Sequence, residues 1–226
     1  MSLKGYLKNK NKNNFTWNGI QIFIKDDFTN SDISIESVLA QVEKSMTQYF
    51  LTTLDAIYVG QFELLAKRHL VAYFESRAIY VTNEQDNDQD MVDDLIHEIG
   101  HAVEEENRDI LYADGQVEAE FLQKRKELWS LLSSEGFDLN LQYYLESEYN
   151  EHFDSYLYND VGYPTLSALT VNLFCSPYGA TSLREYYANG FEHFFHNKDI
   201  QRVKSLSPKL YEKLINLLEK SENYER

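Results

Sequence analysis

Every strand-like stretch of this chain falls before residue 84, and everything beyond it reads as helix. Strands that alternate regularly with helices build a parallel sheet, whereas strands gathered early and followed by helices predict an α+β fold. At 226 residues the chain is long enough for one domain with a sizeable core, and no shift in composition asks for two. The expected organisation is therefore a polar N-terminal tail over 1–13 and one domain over 14–226.

The elements can be placed from their local chemistry. "FTWNGIQIFIKDD" carries an Asn18-Gly19 turn between two β-rich runs, and alternating Ile20, Ile22 and Ile24 make it a hairpin. "SDISIESVLAQVEKSMTQYF" predicts an amphipathic helix capped by Ser31 or Asp32, with Ile35, Val38, Leu39, Val42 and Met46 on one face. "LDAIYVGQF" and "HLVAYFESRAIYVTN" are β-branched and aromatic, which predicts two or three strands. After the polar loop "NEQDNDQD" come a helix over 90–106 and a second helix in "ADGQVEAEFLQKRKELWSLLSSEG" that stops at Gly136. A Tyr-rich helical stretch follows to about Asp160, then a segment around "LSALTVNLFCSPYG", a helix in "TSLREYYANGFEHFFHN" and a closing helix in "SPKLYEKLINLLEK".

Composition excludes several classes of function. A formal net charge of −16 repels phosphate backbones and no Lys/Arg stripe offsets it, so nucleic acid is not an expected partner. No apolar run approaches the roughly 18 residues of a membrane span, and the N-terminus lacks the apolar core of a secretory signal, so a cytoplasmic protein without a membrane partner is expected. The single cysteine, Cys175, can form no internal disulfide and has apolar neighbours, which predicts a buried structural thiol.

The chemistry concentrates in "DMVDDLIHEIGHAVEEE". Positions i and i+4 of a helix share a face, so His97 and His101 can present ring nitrogens to one ion, as zinc requires of two ligands. Glu98 flanks that face, where a carboxylate can take a proton from water activated by the metal. Gly100 leaves one side of the helix bare, and Leu95, Ile99, Ala102 and Val103 form the face expected to be buried.

A catalytic zinc takes three protein ligands and keeps a position for water, so a third ligand is needed. Glu118 and Glu120 follow His101 by 17 and 19 residues, near the spacing at which thermolysin-like enzymes supply a glutamate from a second helix. Glu185 is the other candidate, in the first turns of the helix "TSLREYYANGFEHFF". Tyr178 precedes it by seven residues in a turn-like Pro-Tyr-Gly, and its phenol is suited to donate a hydrogen bond to an oxyanion. Asp93, Asp94, Glu104 and Glu192 are candidates to orient a ligand histidine through its second nitrogen. His152, His193 and His196 read as structural residues of aromatic-rich helices.

"HEIGH", a later Tyr-Gly and, seven residues on from that tyrosine, a glutamate in "REYYANGF" resemble the catalytic domain of anthrax lethal factor and its relatives, which include the Pro-Pro endopeptidases. The resemblance covers most of the chain from about residue 15, and its closing helix is similar to "SPKLYEKLINLL". It implies a zincin-like fold of the gluzincin kind, with a small mixed sheet over an active-site helix and a mainly helical C-terminal half. It further implies Zn2+ held by His97, His101 and Glu185, with Glu98 as general base and Tyr178 as oxyanion donor. The interval from His101 to Tyr178 is longer than in those relatives, which implies an inserted helical region at about 108–165.

The expected activity is a zinc metalloendopeptidase acting on a peptide or protein, extended against an edge strand near "AIYVT" (residues 78–82). The acidic surface suits neutral or basic peptides. A second reading, of another class, is an assembly or structural protein, for instance one associated with a virion, that carries a metalloprotease fold. It is motivated by the polar tail, the inserted region and 17 tyrosines, a residue enriched at interfaces.

Overall fold

A computed structural model describes residues 14–196 and 198–224; the expected tail, 1–13, lies outside them. The fold is α+β, with a small mixed sheet of five strands and a mostly helical C-terminal half. The chain divides into two compact units, Met1–Glu106 with Lys220–Arg226, and Asn107–Glu219.

The first unit opens with the predicted hairpin, β1 (Asn14–Trp17) antiparallel to β2 (Ile20–Ile24). Asn18 (φ 49°) and Gly19 (φ 87°) are both left-handed, as a two-residue turn matched to strand twist requires. Helix α1 (Ile35–Ser45) is capped by Ser34, whose Oγ accepts the Ser37 N–H at 3.2 Å. Neither Ser31 nor Asp32 serves as the cap; the Asp32 N–H instead donates to Asn30 Oδ1 in the preceding turn. A short α2 (Gln48–Leu51) leads to β3 (Ala56–Val59), parallel to β2.

Helix α3 (Glu63–Arg68), not expected from the sequence, precedes a second hairpin of β4 (Ala72–Glu75) and β5 (Ala78–Val81). Its two-residue turn is again left-handed, although Ser76 (φ 51°) and Arg77 (φ 63°) are not glycines. Arg77 is held there by Asp55, Glu106 and the Thr52 carbonyl. The strand order is β1-β2-β3-β5-β4, because β5 pairs parallel to β3 and leaves β4 outside. "AIYVT" is therefore an interior strand and offers no free edge; the edge beside it is β4.

Ile22, Ile57, Ile79, Val81 and Phe74 fill the inner face of the sheet, while Phe23, Tyr58 and Tyr80 stack on the outer face at 4.8 and 5.1 Å. Helix α4 (Asp88–Glu106) packs against α1, α2, β4 and β5, burying Met91, Val92, Leu95, Ile96, Ile99, Ala102 and Val103. Asn87 Oδ1 accepts the Asp90 N–H at its start, and the Ser34 N–H donates to Asp88 Oδ1 at 2.9 Å, tying the start of α1 to that of α4. The depth of α4 on its helix and sheet neighbours is what orients the residues of its other face.

The second unit is helical. It contains α5 (Arg108–Tyr112), α6 (Gln116–Ser134), α7 (Leu141–Tyr144) and α8 (Glu151–Ser155), which runs into a π-helical turn, Tyr156–Val161. Helix α9 (Tyr163–Thr170) and a 3-10 turn, Pro177–Ala180, lead to α10 (Leu183–Phe195), α11 (Ile200–Leu206) and α12 (Pro208–Tyr224), whose last turn groups with the first unit. Helix α6 ends at Ser134, with the predicted stop Gly136 left-handed just beyond it. The Tyr-rich helical stretch consists of two short helices and the π-helical turn that ends at Val161, and α11 has no counterpart among the expected elements. The region expected as an insertion, about 108–165, spans α5 to the start of α9, all within this unit. Among the described residues no helix is long and apolar enough to cross a membrane.

Candidate metal centre

Helix α4 turns its polar face to the chemistry because its apolar positions are committed to the core. His97 and His101 lie one turn apart with Glu98 next to the first, and one potential ligand atom from each falls within 4.8 Å of the others. The two imidazole rings meet edge to face, with centroids 4.9 Å apart. His97 is half-buried, whereas Glu98 is 7% and His101 4% exposed. The two imidazoles are a donor pair suited to zinc or a similar divalent ion, with the Glu98 carboxylate beside them.

The surroundings of the pair are strongly acidic and poorly hydrated. Glu104, one turn beyond His101, is 4% exposed, and its carboxylate lies 3.6 Å from His101 Nδ1. Asp94, one turn before His97, has its pKa raised to about 6, mainly by burial and in part by Glu98, against the opposing effects of Gln85 and His97. Gln85 is itself buried and donates to Asp94 Oδ2 at 3.2 Å. Asp94, Glu98 and Glu104 thus gather carboxylates around the two imidazoles, and buried like charges need a compensating cation or protons. The chemistry of the site fits a bound divalent cation.

Of the carboxylates proposed to orient a histidine, Glu104 faces His101 and Asp94 interacts with His97. Asp93 accepts from Gln89 Nε2 at 2.8 Å. The contribution of Gln85 has no sequence signal, since its amide reaches the site only because the loop before α4 is packed.

Tyr178 and Glu185 belong to the second unit and are half-buried. Tyr178 sits in the 3-10 turn, where its carbonyl accepts the Thr181 N–H at 3.0 Å and hydroxyl at 2.8 Å. Glu185 is in the first turn of α10, and its N–H donates to Oγ of the cap residue Ser182 at 3.2 Å. Asn189 joins the two elements: its amide nitrogen donates to the Glu185 carbonyl at 2.9 Å, and its oxygen accepts from Ser176. No local pattern singles out Asn189, because its role depends on a partner 13 residues away.

The alternative ligand Glu120 is committed elsewhere. Its carboxylate accepts the Lys209 N–H at 2.8 Å, the Leu210 N–H at 3.2 Å and the Tyr186 hydroxyl at 2.8 Å, all within the second unit. Glu118 is half-buried on the same helix, beside Arg108, Tyr112 and Glu148. His152 packs on Tyr143 at 5.0 Å, and His193 lies on the aromatic-rich helix α10, with His196 as its C-cap. Burial raises the Cys175 thiol to about 11, an inert group at neutral pH.

Comparison with family profiles, with curated proteins and with solved structures returned no match.

Proposed function

We propose that the protein is a zinc-dependent metalloendopeptidase. The observation that carries this reading is the juxtaposition of His97, Glu98 and His101 on the polar face of α4, with an acidic, buried surround. His97 and His101 would hold the ion. Glu185 is assigned as third ligand and Tyr178 as oxyanion donor on the resemblance of the sequence to the lethal factor-like peptidases. Zinc, when bound, supplies Lewis acidity toward a carbonyl and a lowered pKa for water.

The chain's own residues then divide the work. Glu98 takes a proton from the attacking water and returns it to the leaving amine, so it must be ionised at the start of the cycle. Tyr178 donates a hydrogen bond to the oxyanion as it develops. Glu104 beside His101 Nδ1 favours the tautomer that leaves Nε2 for the ion. An extended peptide pairs through its backbone with β4, the edge strand that packs against α4.

The test is a metal assay together with cleavage of a peptide library by wild type and Glu98→Gln. About one zinc per chain is expected in both, with cleavage lost roughly 100- to 10,000-fold in the variant. A wild type without stoichiometric zinc, or equal cleavage by both, overturns the reading.

The assembly reading is favoured by a different observation. Tyr149, Tyr158 and Tyr163 of the second unit are 49%, 64% and 42% exposed, and such aromatic surface is typical of interfaces. The free protein's size distinguishes the two: an active monomer removes the motive for assembly.

A further inference from the structure

Helix α6 turns three charged side chains inward within two turns; Glu120 and Lys124 both reach the junction at the start of α12, and Arg125 reaches elsewhere. Glu120 receives the first amides of α12 and the Tyr186 hydroxyl, as described above. Lys124 Nζ donates to the carbonyls of Leu173 and Leu206 and to Ser207 Oγ. Arg125, 1% exposed, donates through Nη1 to the carbonyls of Ala180 at 2.8 Å and Thr181 at 3.1 Å, and through Nη2 to that of Tyr143. Its guanidinium lies 3.8 Å over the centre of the Phe153 ring.

Among the described residues no carboxylate hydrogen-bonds this buried cation, and its Nε has no hydrogen-bond partner. Its charge is met by three backbone carbonyl dipoles and an aromatic face. What it does achieve is local. Ala180 and Thr181 are the two residues that join the turn bearing Tyr178 to the cap Ser182 of the helix bearing Glu185. Asn189 also fastens the same two elements.

We infer that Arg125 is a positioning residue: its forked contact with the Ala180 and Thr181 carbonyls sets the orientation of the Tyr178–Glu185 segment. The region between about 108 and 165 is then a scaffold for that segment, and α6 is its working part. The inference rests on the proposed roles of Tyr178 and Glu185.

Arg125→Lys keeps the charge but has one nitrogen in place of the planar pair, so it cannot serve the Tyr143 carbonyl from Nη2 while Nη1 holds those of Ala180 and Thr181. Lys124→Met removes the other buried cation of the same helix, which packs on Tyr186 and hydrogen-bonds none of residues 178–185, and serves as the structural control. In the metal-free proteins, amide hydrogen exchange over 178–185 should rise at least tenfold in Arg125→Lys relative to Lys124→Met, with exchange over 90–103 unchanged. In the zinc-loaded proteins, Arg125→Lys should lose roughly 10- to 100-fold in both zinc affinity and kcat, with KM within about twofold of wild type. Arg125→Met, if folded, should show the same pattern more strongly.

Unchanged exchange over 178–185 overturns the inference. So does a faster exchange with zinc affinity and kcat intact, or an equal loss of kcat in Lys124→Met, which would mark both cations as structural. A wild type that neither holds zinc nor cleaves defeats the peptidase reading instead, and the exchange comparison then decides alone whether Arg125 holds the segment.

Discussion

The carboxylate of Glu104 lies 3.6 Å from Nδ1 of His101, and both side chains are buried. A carboxylate on one ring nitrogen raises the basicity of the other and limits how the ring can turn. The pair is one helical turn apart, so the relationship is built into α4 and needs no loop to hold it.

Glu104→Gln should therefore weaken zinc binding roughly 10- to 100-fold while leaving the helix in place. Competition with a chelator of known affinity measures this directly. Equal affinities in wild type and variant would mean that the contact is electrostatically idle.

Glu120→Gln separates scaffold from ligand. Its three donors lose a charged acceptor, and each hydrogen bond to a charged group is worth about 1.5–3 kcal/mol, so the urea midpoint should fall clearly. Zinc affinity should stay within about twofold, whereas loss of a ligand would lower it by orders of magnitude.

Gly190→Ala should destabilise the protein. A Cβ at this position would meet Leu210 Cδ2 at 2.4 Å and Cγ at 3.3 Å, and Leu210 is fully buried. Overpacking of about 1–3 kcal/mol outweighs the helix-propensity gain of about 1 kcal/mol. A lower melting temperature checks it; a higher one would show that Leu210 can move aside freely.

Acid should act through His193. Burial lowers its pKa below the ordinary value of about 6.5, and its Nδ1 is buried without a hydrogen-bond partner, so the folded state prefers the neutral ring. A depressed pKa in the folded state gives a contribution to stability that is present above about 6.5 and lost as pH falls through the folded value. The stability gap between His193→Gln and wild type should shift in favour of the variant from pH 7.5 to pH 5, measured by urea unfolding of metal-free protein.

Cys175 should react slowly with thiol reagents. A pKa near 11 in place of 9.0 leaves about 100-fold less thiolate at pH 8. Native protein should label at least that much more slowly than urea-unfolded protein.

Legibility follows the range of the interactions involved. Asn18-Gly19 announces its hairpin because the turn depends on two adjacent residues alone. The cap of α1 is ambiguous in sequence because Ser31, Asp32 and Ser34 all have the chemistry. The choice falls to whichever backbone enters the helix, with Asn30 and Asp88 holding the preceding turn. The interior place of β5 depends on parallel pairing with β3 across 18 intervening residues (60–77), which no local pattern encodes. Within the candidate site, the spacing of His97, Glu98 and His101 is readable from the helix period. The one-turn spacing of Glu104 from His101 is readable in the same way, whereas the choice between Asp93 and Asp94 beside His97 is not, since it depends on Gln85 reaching Asp94 from the preceding loop.

The inward-facing charges of α6 make the second unit unusually interdependent. Glu120, Lys124 and Arg125 sit within two turns of helix and between them anchor backbone from Tyr143 to Leu210. A substitution at any anchored segment strains contacts that share one short stretch of α6, so double-mutant cycles between distant loops should show coupling well above the few tenths of a kcal/mol typical of separated sites. Sequence drift in this unit is expected to come as concerted exchanges of a helix residue and its loop partners.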